Sequence, residues 1–260
     1  PAVSDKIVRS ALVPDYSYEE QCKISEVLDR LSAVIDNRKA ELSALDELIR
    51  ARFVEMFGDP VKNPKNWNRL SLKKAGIRLS DGPFGSNLKS EHYTTEGIRV
   101  IRLGNIGVGH FIDDDKSYIS EQHYEKLRKY TCKSGEIIIG TLGDPNLRAC
   151  LVPPTIKYAI NKADCVHYVP NPEILNTRFA CQYINCPETL ILASQMVHGQ
   201  TRSRISSGQL AEMPIFVPPI ELQNQFADFV QVIDKSKDSV QKALDEAQLL
   251  FDSLMQQYFG

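Results

Sequence analysis

The sequence has no long apolar run: no stretch of about 18 consecutive apolar residues occurs that could span a bilayer as a helix. Its first residues, PAVSDKIVRS, lack the features of a secretory signal peptide. Neither sign of charge dominates, because 31 Lys and Arg are set against 33 Asp and Glu, a formal net charge of -2. Since 42% of the 260 residues are hydrophobic, the chain can bury a sizeable core. We therefore expect a soluble, cytoplasmic, globular protein without a membrane partner.

Metal-binding and catalytic motifs are also scarce. The six cysteines form neither a CxxC pair nor a Cys/His cluster with zinc-ligand spacing, and we interpret Cys181 and Cys186 as core side chains. The chain has no P-loop, no GxGxxG after a strand, no GxSxG and no HExxH. We interpret the acidic run 113–115 as a solvated turn rather than a metal site. We therefore expect no catalysis, no metal and no cofactor in this chain.

Two long segments have the periodicity of a coiled-coil seam. Apolar residues recur at alternating steps of four and three from Ile24 to Met56 and again from Phe226 to Tyr258. Arg38, Arg52 and Lys237 interrupt the seam; we expect them to lie at its edge with buried aliphatic stems, and a role in setting register or meeting acidic partners is the alternative. The predicted interface residues are Ile24, Leu28, Leu31, Ile35, Leu42, Leu45, Ile49, Met56, Phe226, Val230, Ile233, Val240, Leu244, Phe251, Leu254 and Tyr258.

The two segments repeat each other at a constant offset, since 226 minus 24 and 258 minus 56 are both 202. Each begins near a Glu-x-Gln and ends at a Phe-Gly, and a glycine suits the left-handed residue that closes a helix. We interpret the pattern as an internal duplication of one long helix. Because neither helix can bury its seam alone, we predict that the two pair as an antiparallel coiled coil.

The region 59–218 has a different pattern. Short β-rich runs at 98–103, 136–142, 150–153 and 163–169 are separated by Gly, Pro, Asn and Asp, with short helices expected near 121–129 and 176–185. The predicted fold class is therefore α+β: a mixed, mostly β globular domain flanked by two long α-helices that form an antiparallel coiled coil.

Charge is distributed unevenly along the chain. Region 59–218 has 20 basic and 15 acidic residues, a net charge of +5, whereas 15–58 and 219–260 each have a net charge of -4. A basic domain is compatible with binding a phosphate backbone, and segment 198–204, HGQTRSR, combines arginines, an amide and hydroxyls that can contact phosphates and base edges. Any single basic residue can equally be solvated surface. The candidate DNA-binding residues are Ser86, Asn87, Lys89, Arg102, Asn105, Arg148, Lys162, Gln200, Thr201, Arg202, Ser203 and Arg204.

Several motifs occur together in one order: GPFGSNLK at 82–89, YTTEGIRVIR at 93–102, Asn105-Ile106, GEII at 135–138 and RISSGQLAEMPIFVPP at 204–219. In this combination the chain resembles the target recognition domain of type I restriction-modification specificity subunits, and the two helices resemble that family's conserved spacers. The resemblance implies a recognition domain at 59–218 between spacer helices at 19–58 and 219–260, with 1–18 as the remnant of a preceding recognition domain.

The resemblance also implies a function. A specificity subunit is not itself catalytic: it recognises double-stranded DNA and holds modification subunits, which methylate adenine, and restriction subunits, which cleave. S-adenosylmethionine, ATP and Mg²⁺ would then be bound by those partner subunits. Two alternatives remain open, a coiled-coil assembly module without DNA readout and a methyltransferase or nuclease in its own right.

Family members typically have two recognition domains, each reading one half of a split target, whereas this sequence contains one. Residues 1–18 align with 203–220, with Val3-Ser4 opposite Ile205-Ser206. We hypothesise that two copies of the chain associate around a twofold axis and read a palindromic split site. In this hypothesis the helices act as a ruler that sets the separation of the two recognition domains.

Overall fold

The computed structural model describes residues 14–195 and 204–260. These residues divide into two compact units: one contains the described residues up to Ile49 together with Gln231–Gly260, and the other contains the described residues of Arg50–Val230. No helix within the described ranges has the length and apolar character needed to cross a membrane.

The helices in chain order are α1 (Tyr18–Phe57), α2 (Leu72–Ala75), α3 (Glu121–Leu127), α4 (Thr177–Asn185), α5 (Pro187–Gln195), α6 (Ser207–Glu212) and α7 (Ile220–Phe259). The strands are β1 (Asn68–Ser71), β2 (Gly76–Ser80), β3 (Tyr93–Thr94), β4 (Ile98–Ile101), β5 (Ser117–Ile119), β6 (Thr131–Lys133), β7 (Ile137–Gly140), β8 (Arg148–Leu151), β9 (Tyr158–Asn161), β10 (Cys165–Pro170) and β11 (Pro214–Val217). Short 3₁₀ helices occur at Gly85–Asn87, Ser90–His92, Leu103–Asn105 and Arg128–Tyr130.

Helices α1 and α7 form an antiparallel coiled coil in the first unit. Lys237 pairs with Asp46, while the hydroxyl of Tyr16 donates to the carbonyl of Tyr258 at 3.3 Å. The start of α1 therefore lies beside the end of α7, so the two helices run in opposite directions. All the predicted seam residues of this unit are buried or half-buried, whereas most of the positions between them are exposed. Lys237 meets an acidic partner across the pair, which matches the alternative we held open for it.

The duplication extends to helix ends and to hydrogen bonds. Both helices are 40 residues long, and their bounds keep the offset, since 220 minus 18 and 259 minus 57 are both 202. Gln21 Nε2 donates to the carbonyl five residues before it at 2.8 Å, and Gln223 Nε2 does the same at 2.8 Å. The Glu-x-Gln motif therefore supplies one side-chain bond that secures the start of each helix.

Local chemistry sets both ends of α1. At its start, Ser17 and Glu20 form a capping box, in which the Ser17 N–H donates to the Glu20 carboxylate at 2.9 Å and the Glu20 N–H donates to the Ser17 hydroxyl at 3.3 Å. The hydroxyl and backbone of Ser17 lower the pKa of Glu20. At its end, Gly58 has φ +85°, and its N–H donates to the carbonyl of Val54 at 2.8 Å. The predicted helix stop at this glycine is confirmed.

The second unit is built on three sheets. A five-stranded sheet has the order β3-β5-β4-β9-β6, a four-stranded sheet has the order β2-β10-β7-β8, and β1 pairs with β11. Every pairing is antiparallel except that of β4 with β9. The predicted α+β class and the four predicted strands are confirmed as β4, β7, β8 and β10. The other seven strands, of two to five residues each, were not predicted.

The two larger sheets face a common core. Ile101 and Ala159 of the five-stranded sheet pack with Ile138, Cys150 and Cys165 of the four-stranded sheet, all at 0% exposure. Burial raises the pKa of the Cys165 thiol to about 12 and raises the pKa of Cys150 as well. Cys181 and Cys186 are also buried, as predicted, whereas Cys22 is exposed.

An aromatic cluster connects the helix ends to the sheets within the second unit. Ring centroids in the cluster are 4.8 to 6.5 Å apart, and every ring is fully buried. Its members are Phe53 and Phe57 of α1, Phe179 and Tyr183 of α4, Phe216 of β11 and Phe226 of α7. This packing explains why the second unit begins at Arg50 and ends at Val230, beyond both limits of the predicted domain 59–218.

Candidate nucleic-acid interface

The parallel pairing of β4 and β9 brings two predicted DNA-binding residues to one edge of the five-stranded sheet. Arg102 directly follows β4 and Lys162 directly follows β9, and parallel neighbours end at the same edge. A pocket of about 370 Å³ opens there. We call it the edge pocket; its lining residues are Arg102, Leu103, Gly104, Asp115, Lys162, Ala163 and Asp164.

Arg102 lies at the rim of the edge pocket with its side chain 41% exposed. Its Nη1 donates to Asp115 Oδ2 at 2.8 Å and to the Ser117 hydroxyl at 3.3 Å. The guanidinium group is therefore held in place by a carboxylate while part of it faces solvent.

Arg204 also forms an ion pair with an aspartate. Its Nη2 lies 2.6 Å from Asp164 Oδ1, and its backbone forms a bridge with Leu142. Asp164 has φ +65°, a left-handed conformation that few residues other than glycine adopt. The chain turns sharply here between β9 and β10, which brings the Asp164 carboxylate into the edge pocket.

Lys162 is held differently, since its Nζ lies 5.7 Å from the centroid of the Tyr93 ring. Gly82 packs directly against the Lys162 backbone: a Cβ at this glycine would lie 2.4 Å from the Lys162 carbonyl. Only glycine permits this approach, which brings the start of segment 82–89 beside the edge pocket.

Ser86, Asn87 and Lys89 are all exposed on that segment. Two histidines that were not among the predicted site residues hold it. His123 Nε2 donates to the Asn87 carbonyl at 2.9 Å, His92 Nδ1 accepts from the Lys89 N–H at 3.0 Å, and the two rings stack with centroids 4.0 Å apart. Because several strands separate His92 from His123 along the chain, the sequence gives no signal that the two rings meet.

The geometry is that of a polar, partly basic edge with two partly exposed arginines. Comparison with known proteins shows the family of the chain. The family described as "Type I restriction modification DNA specificity domain" matches residues 86–248, more than half of the chain. The chain belongs to this family. The matched range contains β4, β9, the whole edge pocket and Arg204, so the resemblance found in the sequence is confirmed. This is a specificity domain and not a catalytic one.

Three relatives carry the same fold or sequence pattern. Over 266 residues the chain is 20% identical to the specificity subunit of the type I restriction enzyme MjaVIII from Methanocaldococcus jannaschii, covering 94% of this chain and 61% of that protein. The S subunit of the type I restriction-modification system from M. genitalium is 17% identical, with a TM-score of 0.59 over 94% of this chain and 62% of that one. The HsdS subunit from Thermoanaerobacter tengcongensis is 18% identical, with a TM-score of 0.51 over 100% of this chain and 63% of that one. The chain therefore spans less than two thirds of the length of each.

Asn105 of the specificity domain is fully buried, contrary to the expectation that it touches DNA. Its Oδ1 accepts from the Arg102 N–H at 2.9 Å, and its Nδ2 donates to the carbonyls of Ile112 and Asp115, each at 2.9 Å. No polar atom of the side chain is left for a ligand. The structure therefore does not support Asn105 as a DNA contact and shows it linking Arg102 to Asp115.

Arg148 likewise binds other parts of the protein. Its guanidinium group donates to four backbone carbonyls at 2.6 to 3.0 Å, those of Leu103, Ile106, Leu142 and Pro145. An arginine so used secures the loops around the edge pocket and has little donor capacity left for DNA. The structure does not support Arg148 as a direct contact either.

The remaining predicted DNA-binding residues, Gln200, Thr201, Arg202 and Ser203, lie outside the residues that the structure describes. Their assignment stays a prediction. Arg204 is the one predicted residue of segment 198–204 that the structure describes.

The acidic run 113–115 has a role that composition did not indicate. Asp113 accepts from buried Arg99 at 2.8 Å, and Asp115 accepts from Arg102. Two of the three carboxylates thus hold the arginines of β4 and of the residue after it. Within residues 14–195 and 204–260, no group of three or more His, Cys, Asp or Glu side chains is arranged to hold a metal ion.

Proposed function

We propose that this chain recognises one half of a split double-stranded DNA target for a type I restriction-modification enzyme. The observation that carries the proposal is the family match over 86–248, because that range contains the sheet edge with Arg102 and Lys162, which are both partly exposed. Arginine and lysine in this setting supply the phosphate contacts and base contacts that DNA recognition requires.

In this proposal other polypeptides carry out the chemistry. Modification subunits methylate adenine with S-adenosylmethionine, and restriction subunits cleave DNA with ATP and Mg²⁺. The chain scaffolds them and selects the site, and it acts in the cytoplasm, where the DNA is.

A second copy of the chain completes the split site. The coiled-coil unit leaves large apolar side chains exposed, which supports a protein partner along the helices: Val232 is 62% exposed and Leu249 is 72% exposed. A twofold pair of chains brings two recognition domains to one DNA and fits a palindromic target.

Salt-dependent DNA binding tests the proposal. The full chain, assembled with its cognate modification subunits, is titrated with target DNA at several salt concentrations. Release of condensed counterions predicts a steep fall of log K with log salt. If affinity is absent, or is insensitive to salt while the modification subunits still bind, the chain is an assembly module and the proposal is wrong.

The DNA sequence that the chain recognises can be determined from the methylation pattern of cells that express the chain with those subunits. We expect adenine methylation at one split motif whose halves are symmetric. The test variant is the double substitution Arg102→Gln, Arg204→Gln. It retains the coiled coil and should lose methylation at the motif. Unchanged methylation in this variant would argue against the edge pocket as the reading surface.

A further inference from the structure

Two arginines at the edge pocket share one arrangement. Arg102 is hydrogen-bonded to Asp115 at 2.8 Å, and Arg204 is paired with Asp164 at 2.6 Å. Both carboxylates line the edge pocket. The two arginine side chains are 41% and 44% exposed, so each is restrained on one side and open on the other.

Asp115 is itself held firmly. Its backbone carbonyl accepts from the buried Asn105 amide at 2.9 Å and from the buried Arg99 guanidinium at 2.8 Å. Its Oδ1 accepts from the Ser117 hydroxyl at 3.2 Å. Since Asn105 also binds the Arg102 N–H, one buried amide sets the position of both members of the pair.

Asp164 is held by the backbone instead. Its carbonyl accepts from the Thr141 N–H at 3.0 Å, and its φ of +65° orients the side chain toward Arg204. The Asp164 side chain is 20% exposed. A left-handed residue that is not glycine costs energy, and such residues cluster at functional sites, where the surroundings hold them.

Each arginine keeps donors for a ligand. A guanidinium group carries five N–H donors. In the described part of the chain Arg102 donates only from Nη1, which leaves Nη2 and Nε, and Arg204 uses Nη2. Two adjacent N–H groups in one plane match O6 and N7 of guanine in the major groove.

The carboxylates also discriminate between ligands. A phosphate that approached either arginine would meet the neighbouring Asp115 or Asp164 and be repelled, whereas a guanine edge carries no net charge. Lys162 differs, because among the described residues it makes no ion pair and lies over Tyr93. Its ammonium group suits a phosphate.

We propose that Arg102 and Arg204 each read a guanine, and that Asp115 and Asp164 are positioning residues that aim them. The inference rests on the proposed function and deepens it, since it assigns these two arginines to bases and Lys162 to the DNA backbone. The target therefore contains at least two guanines whose recognition depends separately on the two carboxylates.

The test is selection from a random double-stranded DNA library by the full chain with its modification subunits. The variants are Asp115→Asn and Asp164→Asn. Asparagine keeps the shape of aspartate and tolerates the left-handed conformation, so the backbone at 164 is not strained by the change. We expect each variant to lose preference for guanine at one position, a different one in each, by about fivefold or more.

Two further variants complete the design. Arg204→Lys keeps the charge but cannot bind bidentately, so it should lose the same guanine as Asp164→Asn. Lys162→Gln is the backbone control and should weaken binding to every sequence alike, with a salt slope smaller by about one. Thermal unfolding of each variant, compared with the parent, verifies that it is folded.

The outcomes separate the two proposals. Guanine preferences that survive in both aspartate variants, or a uniform loss of affinity like that of Lys162→Gln, overturn the assignment of bases while DNA recognition stands. A selected target without guanine does the same. If the unaltered complex selects no sequence, the proposed function itself is wrong and this inference is lost with it.

Discussion

Arg148, the first residue of β8, and Arg102, the residue after β4, are the same residue type, yet they make different contacts. Arg148 uses its donors on four carbonyls. Arg102 bonds to Asp115 and Ser117 through one nitrogen, and its side chain is 41% exposed. The difference comes from the neighbours that each guanidinium group meets in the fold. At this scale, the hydrogen-bond partners and not the residue type separate an arginine that is used within the fold from one that keeps donors for a ligand.

Asn105 provides a prediction about stability. Replacing it with alanine removes three hydrogen bonds and leaves the Arg102 N–H and the Asp115 carbonyl without this partner. We expect Asn105→Ala to lower the free energy of unfolding by about 2 to 4 kcal/mol. Urea denaturation measures this, with the exposed Asn87→Ala as control within about 0.5 kcal/mol. Equal stabilities of the two variants would contradict the role given to Asn105.

His167 predicts a dependence of stability on pH. It is 1% exposed, and its Nε2 lies 2.8 Å from Glu136 Oε2. Burial lowers the pKa of His167 below its usual 6.5; the Glu136 carboxylate opposes this, and the charge of Arg78 adds to it. The unfolded chain therefore takes up a proton at higher pH than the folded one does, and stability falls as pH drops below about 6.5.

The measurement compares urea midpoints at pH 7.5 and 5.5. His167→Gln keeps a donor for Glu136 but cannot titrate, so its midpoint should fall less than that of the parent over this interval. His110→Gln, at an exposed position, is the control and should behave as the parent does. A fall that is the same in all three proteins would remove His167 as its cause.

Among the elements, the two long helices contribute to both compact units. In the coiled coil they bury an apolar seam, and in the second unit their ends join the aromatic cluster of Phe53, Phe57 and Phe226. The cluster holds the last turns of α1 and the first turns of α7 against α4 and β11. The heptad spacing of the seam carries no indication of this second role.

Phe53 tests the contribution of the cluster. Its ring lies within 6.5 Å, between centroids, of five other aromatic rings. We expect Phe53→Ala to lower the free energy of unfolding by about 3 to 5 kcal/mol, the cost of removing a fully buried aromatic side chain. Val54→Ala is the matched neighbour, at 41% exposure, and should cost less than about 1 kcal/mol. Chemical denaturation of both variants decides this.

The ruler hypothesis belongs to the helices as elements. Seven residues inserted after Ala44 and seven after Ser239, on facing stretches near the Asp46–Lys237 pair, preserve the heptad and lengthen the helix pair by about 10 Å. We expect the methylated motif to keep its half-sites and to accept a longer spacer. The control inserts the same residues in α1 alone, which breaks the pairing. An unchanged spacer with the double insertion would show that the helices do not set it.

At the scale of the whole molecule, the proposed twofold pair predicts a dimer. Sedimentation of the full chain at micromolar concentration, alone and with modification subunits and DNA, should give a mass that contains two copies of the chain in at least the assembled form. Leu249→Lys, on the exposed face of α7, should weaken the pair, whereas Lys235→Glu changes an exposed charge on the same helix without removing apolar surface. A strict monomer in every condition would contradict the dimer.

Much of the architecture follows from short-range pattern. The heptad seam and the stop at Gly58 rest on spacing within a few residues, and the same local pattern recurs 202 residues later. The helices formed as predicted. The motifs that identify the family are likewise readable in order along the chain. A periodic pattern of this kind depends only on neighbouring residues, so it can be recognised in the sequence without knowing the rest of the fold.

The edge pocket depends instead on pairing between residues that are far apart in the sequence. The parallel pairing of β4 with β9 places Arg102 and Lys162 at the same edge of the sheet. The turn at Asp164 places its carboxylate beside Arg204. The burial of Asn105 and the inward clamp of Arg148 also depend on contacts between residues far apart in sequence. No local preference encodes which strands become neighbours, because the burial of a shared core makes that choice. Only the folded chain therefore separates the partly exposed side chains of the edge pocket from the buried ones that hold them.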